Sequence, residues 1–244
     1  MSLKNKTITY FDQLESTNKH AKENLHDYED GSVIAADVQT GGRGRLGRSW
    51  QSDKAGNVYL SIVLKPNKSL NEYPISNITQ YMSVIICELL EKYGIETQIK
   101  WPNDVLIDGK KIAGVLSEAV LQGSELKGLI VGAGINLNME KGDLAKIDKP
   151  ATSLNLLTDK AIDTKAFIEE LVTNFNKEYE DFVPDGFEYI KTRYTQRCAF
   201  LGSEILVMSI SNEQRGIAKS INSDGTLLLE KEHGVSTIIV GDII

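Results

Sequence analysis

Three stretches of this sequence carry residues that could do chemistry. The first is Gly42-Arg43-Gly44-Arg45-Leu46-Gly47-Arg48-Ser49. Glycine lets backbone amides approach a ligand closely, and planar guanidinium forks bind phosphate and carboxylate oxygens two at a time. The stretch matches the G-x-G-x-x-G of dinucleotide sites, and with Arg48 in place of lysine it approximates a P-loop. Both readings need a helix to begin inside the loop, so that its N-terminal amides meet phosphate. The residues that follow, Trp50 to Asn57, have no apolar helical face, which favours a flexible anion-binding lid instead. A solvated basic loop is the plain alternative. Against it, three of the six arginines of the chain, Arg43, Arg45 and Arg48, fall within six residues of one another.

The second stretch is Lys100-Trp101-Pro102-Asn103-Asp104, followed by Lys110-Lys111 and Ile112-Ala113-Gly114. Alone, Trp-Pro-Asn-Asp reads as a strand-ending turn. Taken together, Lys100, Asp104 and Lys111 put two cations and a carboxylate on one hairpin, which can hold a triphosphate and its Mg²⁺. The third stretch, Val131-Gly132-Ala133-Gly134-Ile135-Asn136-Leu137-Asn138, reads as a buried strand. Two glycines weaken a strand unless a ligand or another backbone must come close. Tight core packing explains them equally well, and Asn136 needs a partner among its apolar neighbours.

Elements must hold these stretches in place. Thr7 to Phe11 reads as a strand running into the polar elbow Ser16-Thr17-Asn18 and a helix bearing Ala21, Leu25 and Tyr28. Val33 to Val38 empties into the arginine loop, and Val58 to Leu64 resumes strand until Pro66. Ile75 to Tyr93 is the strongest core helix, with Ile78, Met82, Ile85, Ile86, Leu89 and Leu90 on one face and Gly94 as its cap. From Ile95 to Asn138 successive strands turn at Asp108-Gly109 and Gly123-Ser124, which implies a mostly antiparallel sheet. An amphipathic helix from Thr164 to Phe182 is stopped by Pro184. Beyond Ala199, four short strands (Glu204–Ile210, Gly216–Ile221, Thr226–Glu230 and Val235–Val240) with tight turns suggest a small barrel.

Composition narrows the function. The chain has 244 residues, enough for one large domain or a domain with a small appendage. No apolar run approaches the roughly 20 residues needed to cross a bilayer, and Met1 to Tyr10 lacks the apolar core of a secretory signal, so a cytoplasmic protein is expected. Two cysteines, Cys87 and Cys198, are too few for a disulfide framework. His20, His26 and His233 have no metal-ligand spacing. A net charge of −7 argues against a dedicated nucleic-acid binder; a local anion site in an acidic protein fits better.

In the order Ser16-Thr17-Asn18, Gly42 to Arg48, Lys100 to Asp104, Lys111 to Gly114 and Gly132 to Asn136, the chain resembles the catalytic and C-terminal domains of biotin–protein ligases. The resemblance covers nearly the whole chain, although beyond Gly202 it rests on pattern alone. It implies an α/β (α+β) catalytic domain over residues 1–198, a mixed, largely antiparallel sheet with flanking helices as in class II tRNA synthetases and lipoate ligases. An SH3-like β-barrel would follow over 199–244. It also implies roles. Ser16, Thr17 and Gln39 would hydrogen-bond the ureido ring of biotin beside Asn18, a role compatible with helix capping by Ser16 or Thr17. Arg43, Gly44 and Arg45 would close over biotin and the adenylate, Trp50 would stack near adenine, Lys111 would touch the biotin carboxylate and α-phosphate, and Asn136 would meet the sugar or phosphate. Gly42, Arg48, Asn103, Gly114 and Gly134 would complete the lining, Lys100 would join Lys111, Arg45 and Asp104 in catalysis, and Asp104 would hold Mg²⁺. Leu46 stands where some members carry a further arginine, so lid charge is lower here.

The resemblance implies attack of the biotin carboxylate on the α-phosphate of ATP, then attack of an acceptor lysine on biotinoyl-5′-AMP. The acceptor would be a biotin carboxyl carrier protein domain of acetyl-CoA carboxylase or another biotin-dependent carboxylase. The strand before Ser16 begins near residue 1, so a DNA-binding domain and transcriptional repression are not expected, nor is a membrane or nucleic-acid partner. The protein would be a monomer or a homodimer. A lipoate or octanoate ligase and a noncatalytic nucleotide- or nucleic-acid-binding module are the competing readings.

Overall fold

A computed structural model of the chain describes residues 7–66, 75–209 and 212–244. The first half builds a seven-stranded sheet from β1 (Ile8–Leu14), β2 (Val33–Gln39), β3 (Val58–Leu64), β4 (Gln98–Lys100), β5 (Asp104–Ile107), β6 (Lys110–Gln122) and β7 (Glu125–Ile135), in the order β1-β2-β3-β7-β6-β5-β4. Only β1 and β2 pair in parallel; every other neighbouring pair is antiparallel, and β4-β5, β5-β6 and β6-β7 are joined by the short connections expected. The turn at Asp108-Gly109 takes positive φ at both residues, 49° and 72°. Such a turn matches the twist of the flanking strands.

β3 is central and buried along its whole length, which explains its near-continuous apolar run. Its Val58, Leu60, Ile62 and Leu64 join the main core under α2 (Ile75–Glu91), while Val63 joins a second cluster with Ala21 of α1 (Thr17–Glu23), Ile34 and Ile130. The sheet is therefore covered on both faces. α5 (Thr164–Asp185) and α6 (Phe187–Thr195) pack behind α2, where Tyr81 stacks on Phe182 at 4.4 Å between ring centres. The chain also forms two short helices, α3 (Lys141–Leu144) and α4 (Leu154–Thr158). Among the described residues no helix is long and apolar enough to cross a membrane.

The C-terminal segment forms a separate antiparallel sheet from β8 (Glu204–Met208), β9 (Glu213–Ile221), β10 (Leu227–Lys231), β11 (Gly234–Ile238) and β12 (Asp242–Ile243), in the order β11-β10-β9-β8-β12. Its apolar residues Val207, Ala218, Leu227 and Ile243 belong to the main core. The turn between β9 and β10 is docked by α2 and by Trp101, just after β4: Asn77 Nδ2 donates to the Asp224 carbonyl at 2.8 Å, and Gln80 Nε2 and Trp101 Nε1 donate to the Gly225 carbonyl at 2.8 and 3.0 Å.

Several expectations need correction. Pro184 does not stop α5, which runs to Asp185. A proline deletes one N–H bond in the last turn, but Gly186, at φ 55°, still donates its N–H to the Phe182 carbonyl at 2.8 Å and ends the helix there. α1 ends at Glu23, short of Leu25 and Tyr28, which pack on its cluster from the following turn. The C-terminal sheet has five strands rather than four, because two-residue β12 is too short to show a period. Helices α3, α4 and α6 were not foreseen. Ile210, placed at the end of a strand by its pattern, lies outside the described residues.

Candidate active site

One cavity of about 550 Å³ gathers nearly all the residues singled out above, a size usual for a small-molecule site. Its wall on the α1 side is polar and buried. Ser16 caps α1, accepting from the Lys19 N–H at 3.4 Å, and Ser16, Thr17, Asn18 and Gln39 are each less than a tenth exposed. Gln39, the last residue of β2, accepts the Thr17 backbone N–H at 2.8 Å. Ser61, in the middle of β3, reaches Thr17 Oγ1 at 2.8 Å and Asn18 Oδ1 at 2.6 Å. It faces α1 because its register neighbours Ile62 and Leu60 face the other core.

Two glycines of β7, Gly132 and Gly134, line this cavity, and each makes room for a side chain of the protein itself. A Cβ on Gly132 would stand 2.2 Å from Asn18 Oδ1, and one on Gly134 would stand 2.5 Å from the Trp50 indole. The strand is bare so that these two side chains can lie on it. The Trp50 indole also packs on Gly114, with Lys111 Nζ 5.2 Å from its ring centre. Its buried N–H has no acceptor among the described residues.

The arginine loop is folded into a small flap. Gly44 N–H donates to the Arg48 carbonyl at 2.7 Å and Trp50 N–H to the Gly42 carbonyl at 3.0 Å. Only a three-residue turn, Arg45–Gly47, forms inside it, and no α-helix begins there, which agrees with setting the dinucleotide and P-loop readings aside. Arg45 points inward. Its guanidinium lies 3.0 Å from Asn103 Oδ1, 2.9 Å from Asp242 Oδ1 and 3.2 Å from the Gly241 carbonyl. Arg48 Nη1 meets the other oxygen of Asp242 at 2.6 Å. Arg43 instead leans outward toward Glu15, 3.7 Å away.

Opposite the flap, the hairpin of β5 and β6 brings Lys111 Nζ to 2.7 Å from Asp104 Oδ1. Asn103 is locked beside them by its bond to the Val115 carbonyl at 2.9 Å. Arg45 and Lys111 thus line one cavity. Asn136 lines it too and is held by its Nδ2 donating to the Thr152 carbonyl at 3.0 Å, the partner that its apolar surroundings demanded.

Two expected residues stand apart. Gly42 does not line the cavity; a Cβ there would collide with Ser52 and the Trp50 carbonyl, so its role is to close the base of the flap. Lys100 is also outside the lining, across the strand pair from Asp104. Burial pushes its ammonium below the usual lysine range, with Lys149 and Lys111 adding to that and Asp104 and Asp242 opposing it. Sequence reasoning missed Ser61, Asp242, Lys146 and Lys149. Ser61 had a signal, as the only polar side chain of the run VYLSIVL apart from a tyrosine hydroxyl. Asp242 had none, since only the docking of the second sheet brings it to the flap.

Mg²⁺ was expected at Asp104. One oxygen of that carboxylate is engaged by Lys111, both oxygens of Asp242 by arginines, and among the described residues no three acidic, histidine or cysteine groups cluster. This donor set fits a Mg²⁺ carried mainly by phosphate oxygens, with Asp104 as its single protein carboxylate.

Residues 10–136 match the family described as Biotin/lipoate A/B protein ligase family. The bifunctional ligase/repressor BirA of Bacillus subtilis is 34% identical over 97% of this chain and 73% of its own length. The biotin–[acetyl-CoA-carboxylase] ligase of Paracoccus denitrificans is 29% identical over 94% of this chain and 96% of its own. The biotin protein ligase of Aquifex aeolicus, solved in complex with biotin and ATP, superposes with a TM-score of 0.83 at 29% identity, covering 98% of both chains. A seven-stranded sheet with the polar pocket of α1 at one side, a cationic flap at the other and this degree of likeness together establish that the chain belongs to the biotin/lipoate A/B protein ligase family.

Proposed function

We propose that this protein activates biotin with ATP and transfers it to a lysine of a carrier domain of a biotin-dependent carboxylase, that of acetyl-CoA carboxylase being the foremost candidate. The observation that carries this reading is the meeting of Arg45 and Lys111 in one cavity whose far wall, Ser16, Thr17 and Gln39, is buried and polar. Ser16, Thr17 and Gln39 would hold the ureido ring, and the adenine would lie toward Trp50.

In the first step a carboxylate oxygen of biotin attacks the α-phosphorus of ATP and pyrophosphate leaves. Bringing two anions together is the obstacle. Lys111 and Arg45 would offset that repulsion and stabilise charge growing on the α-phosphate, and preorganised groups of this kind each contribute about 3 kcal/mol. Lys111 is paired beforehand to Asp104 and Arg45 to Asp242, so each cation would exchange a carboxylate partner for a phosphate rather than wait unpaired. Mg²⁺, when bound, screens the remaining phosphate charge. In the second step the acceptor amine attacks the acyl carbon, AMP leaves, and the amine loses a proton. The mixed anhydride hydrolyses readily, so the flap over it has to exclude water. Residues 1–198 would carry this chemistry and 199–244, an SH3-like unit, would steady the flap through Asp242. A cytoplasmic location belongs to the same proposal.

The test is incubation with ATP, Mg²⁺ and either biotin or lipoate, with the adenylate read by mass spectrometry. Biotinoyl-5′-AMP is expected and lipoyl-5′-AMP is not. The reverse result would make the chain a lipoate ligase, and neither product would make it a noncatalytic binding module.

A further inference from the structure

The polar wall of the cavity has its donors and acceptors forced. Gln39 Oε1 sits 2.8 Å from the Thr17 backbone N–H and 3.2 Å from Thr17 Oγ1. A backbone N–H only donates, so the oxygen end of this amide is taken and its NH₂ end is the one left for a ligand. Asn18 is fixed from the other side. Its Nδ2 donates to the Leu116 carbonyl at 3.1 Å and to Glu118 Oε2 at 2.9 Å, so its Oδ1 must accept the proton of Ser61, 2.6 Å away. With that proton spent, Thr17 Oγ1, 2.8 Å from Ser61 Oγ, gives its own proton either to Ser61 or to Gln39. Toward the cavity Thr17 therefore offers a lone pair. Ser16 Oγ accepts from the Lys19 N–H and keeps its proton to donate. Two donors, Ser16 and Gln39, and one acceptor, Thr17, complement a carbonyl flanked by an N–H, the pattern of a cyclic urea.

The outer end of this chain is Glu118 on β6, which does not line the cavity. Its Oε1 accepts from Lys22 Nζ at 2.8 Å. Burial opposes its ionisation, but the hydrogen bonds from Lys22 and Asn18 outweigh that and hold the carboxyl below the usual range. We propose that Glu118, anchored by Lys22, is a specificity-determining positioning residue: acting through Asn18 and Ser61, it fixes Thr17 as an acceptor and so selects a urea-bearing acid. This rests on the reading of the cavity as a biotin site.

Glu118→Gln tests it. An amide beside Lys22 must turn its oxygen to the ammonium, which puts its NH₂ against the NH₂ of Asn18. Asn18 then turns over, offers a donor to Ser61, and Thr17 loses its fixed role. Steady-state adenylate formation with biotin is expected to show KM raised roughly tenfold, about one hydrogen bond, with kcat within about twofold of wild type. Lys22→Met combined with Glu118→Gln removes the ammonium, lets the substituted amide face Asn18 with its oxygen, and is expected to bring KM back to within about threefold. Should Glu118→Gln fail to fold, Ser61→Ala breaks the same chain one link nearer and is expected to raise KM similarly. An unchanged KM in the folded single variant, a loss confined to kcat, or a double variant no better than the single one would overturn the proposal. Absence of any biotin-dependent adenylate in the wild-type protein would instead overturn the biotin reading itself, and this inference with it.

Discussion

Trp50 occupies a bed made by two missing side chains. Gly114 and Gly134 leave room for the indole, and a methyl group on Gly134 would stand 2.5 Å from it. Gly134→Ala is therefore expected to expel Trp50 from the cavity, seen as a red shift in its fluorescence, and to weaken ATP binding about tenfold by titration. At the opposite wall, Arg45→Gly removes the guanidinium that ties the flap to Asn103 and Asp242. That variant is expected to release biotinoyl-5′-AMP into solution, detectable by chromatography, whereas no free intermediate together with normal transfer would contradict the flap's role. Residue types alone drew attention to Arg45, Lys111 and the polar elbow at Thr17, because arginine clusters and polar elbows stand out from an apolar background, whereas Gln39 was pointed to only by the family resemblance. Glu118 was not legible, and Ser61 stood out only as a polar break in an apolar run; what each does depends on which protons it gives and takes, and that is fixed only by neighbours on other elements.

Elements determine whether those residues meet. β3 and β7 carry the row Ser61, Gly132 and, on β6, Leu116, so a one-residue slip would turn every one of them to the other core. The apolar run of β3, the long face of α2 and the turns at Asp108-Gly109 and Gly123-Ser124 were readable from period and turn chemistry. Helices α3 and α4 were not, being one turn or so each, too short for a repeat to show. The second sheet is attached through the Asp224-Gly225 turn. Gly225 has φ 81°, and a Cβ there would meet Gln80 Oε1 at 2.4 Å. Gly225→Ala is expected to lower unfolding free energy by about 1–2 kcal/mol from backbone strain alone. Denaturant titration checks this; no change would show that the turn is not held as described.

At the scale of the molecule the catalytic sheet and the C-terminal sheet share one core and one ion-pair cluster, in which Asp242 of β12 faces Arg45 and Arg48 of the flap. The second sheet thereby reaches the candidate site, something no local pattern in the sequence could announce. Acid should loosen the whole. Burial resists the ionisation of Glu91, but its bonds to Arg197 and Thr97 prevail and hold it below the usual carboxylate range, and Glu118 behaves alike. Such groups stabilise the fold above their unfolded pKa, near 4.5, and lose that contribution as pH falls through the depressed folded value. The thermal midpoint is thus expected to drop below about pH 4.5, less steeply in Glu91→Gln. The most direct measurement of the central claim is ATP–pyrophosphate exchange in wild type and Lys111→Ala. Exchange is expected to require biotin and to fall at least about a hundredfold in the variant, in line with the loss of one preorganised charge. Exchange without biotin, or an unaltered rate in Lys111→Ala, would contradict it.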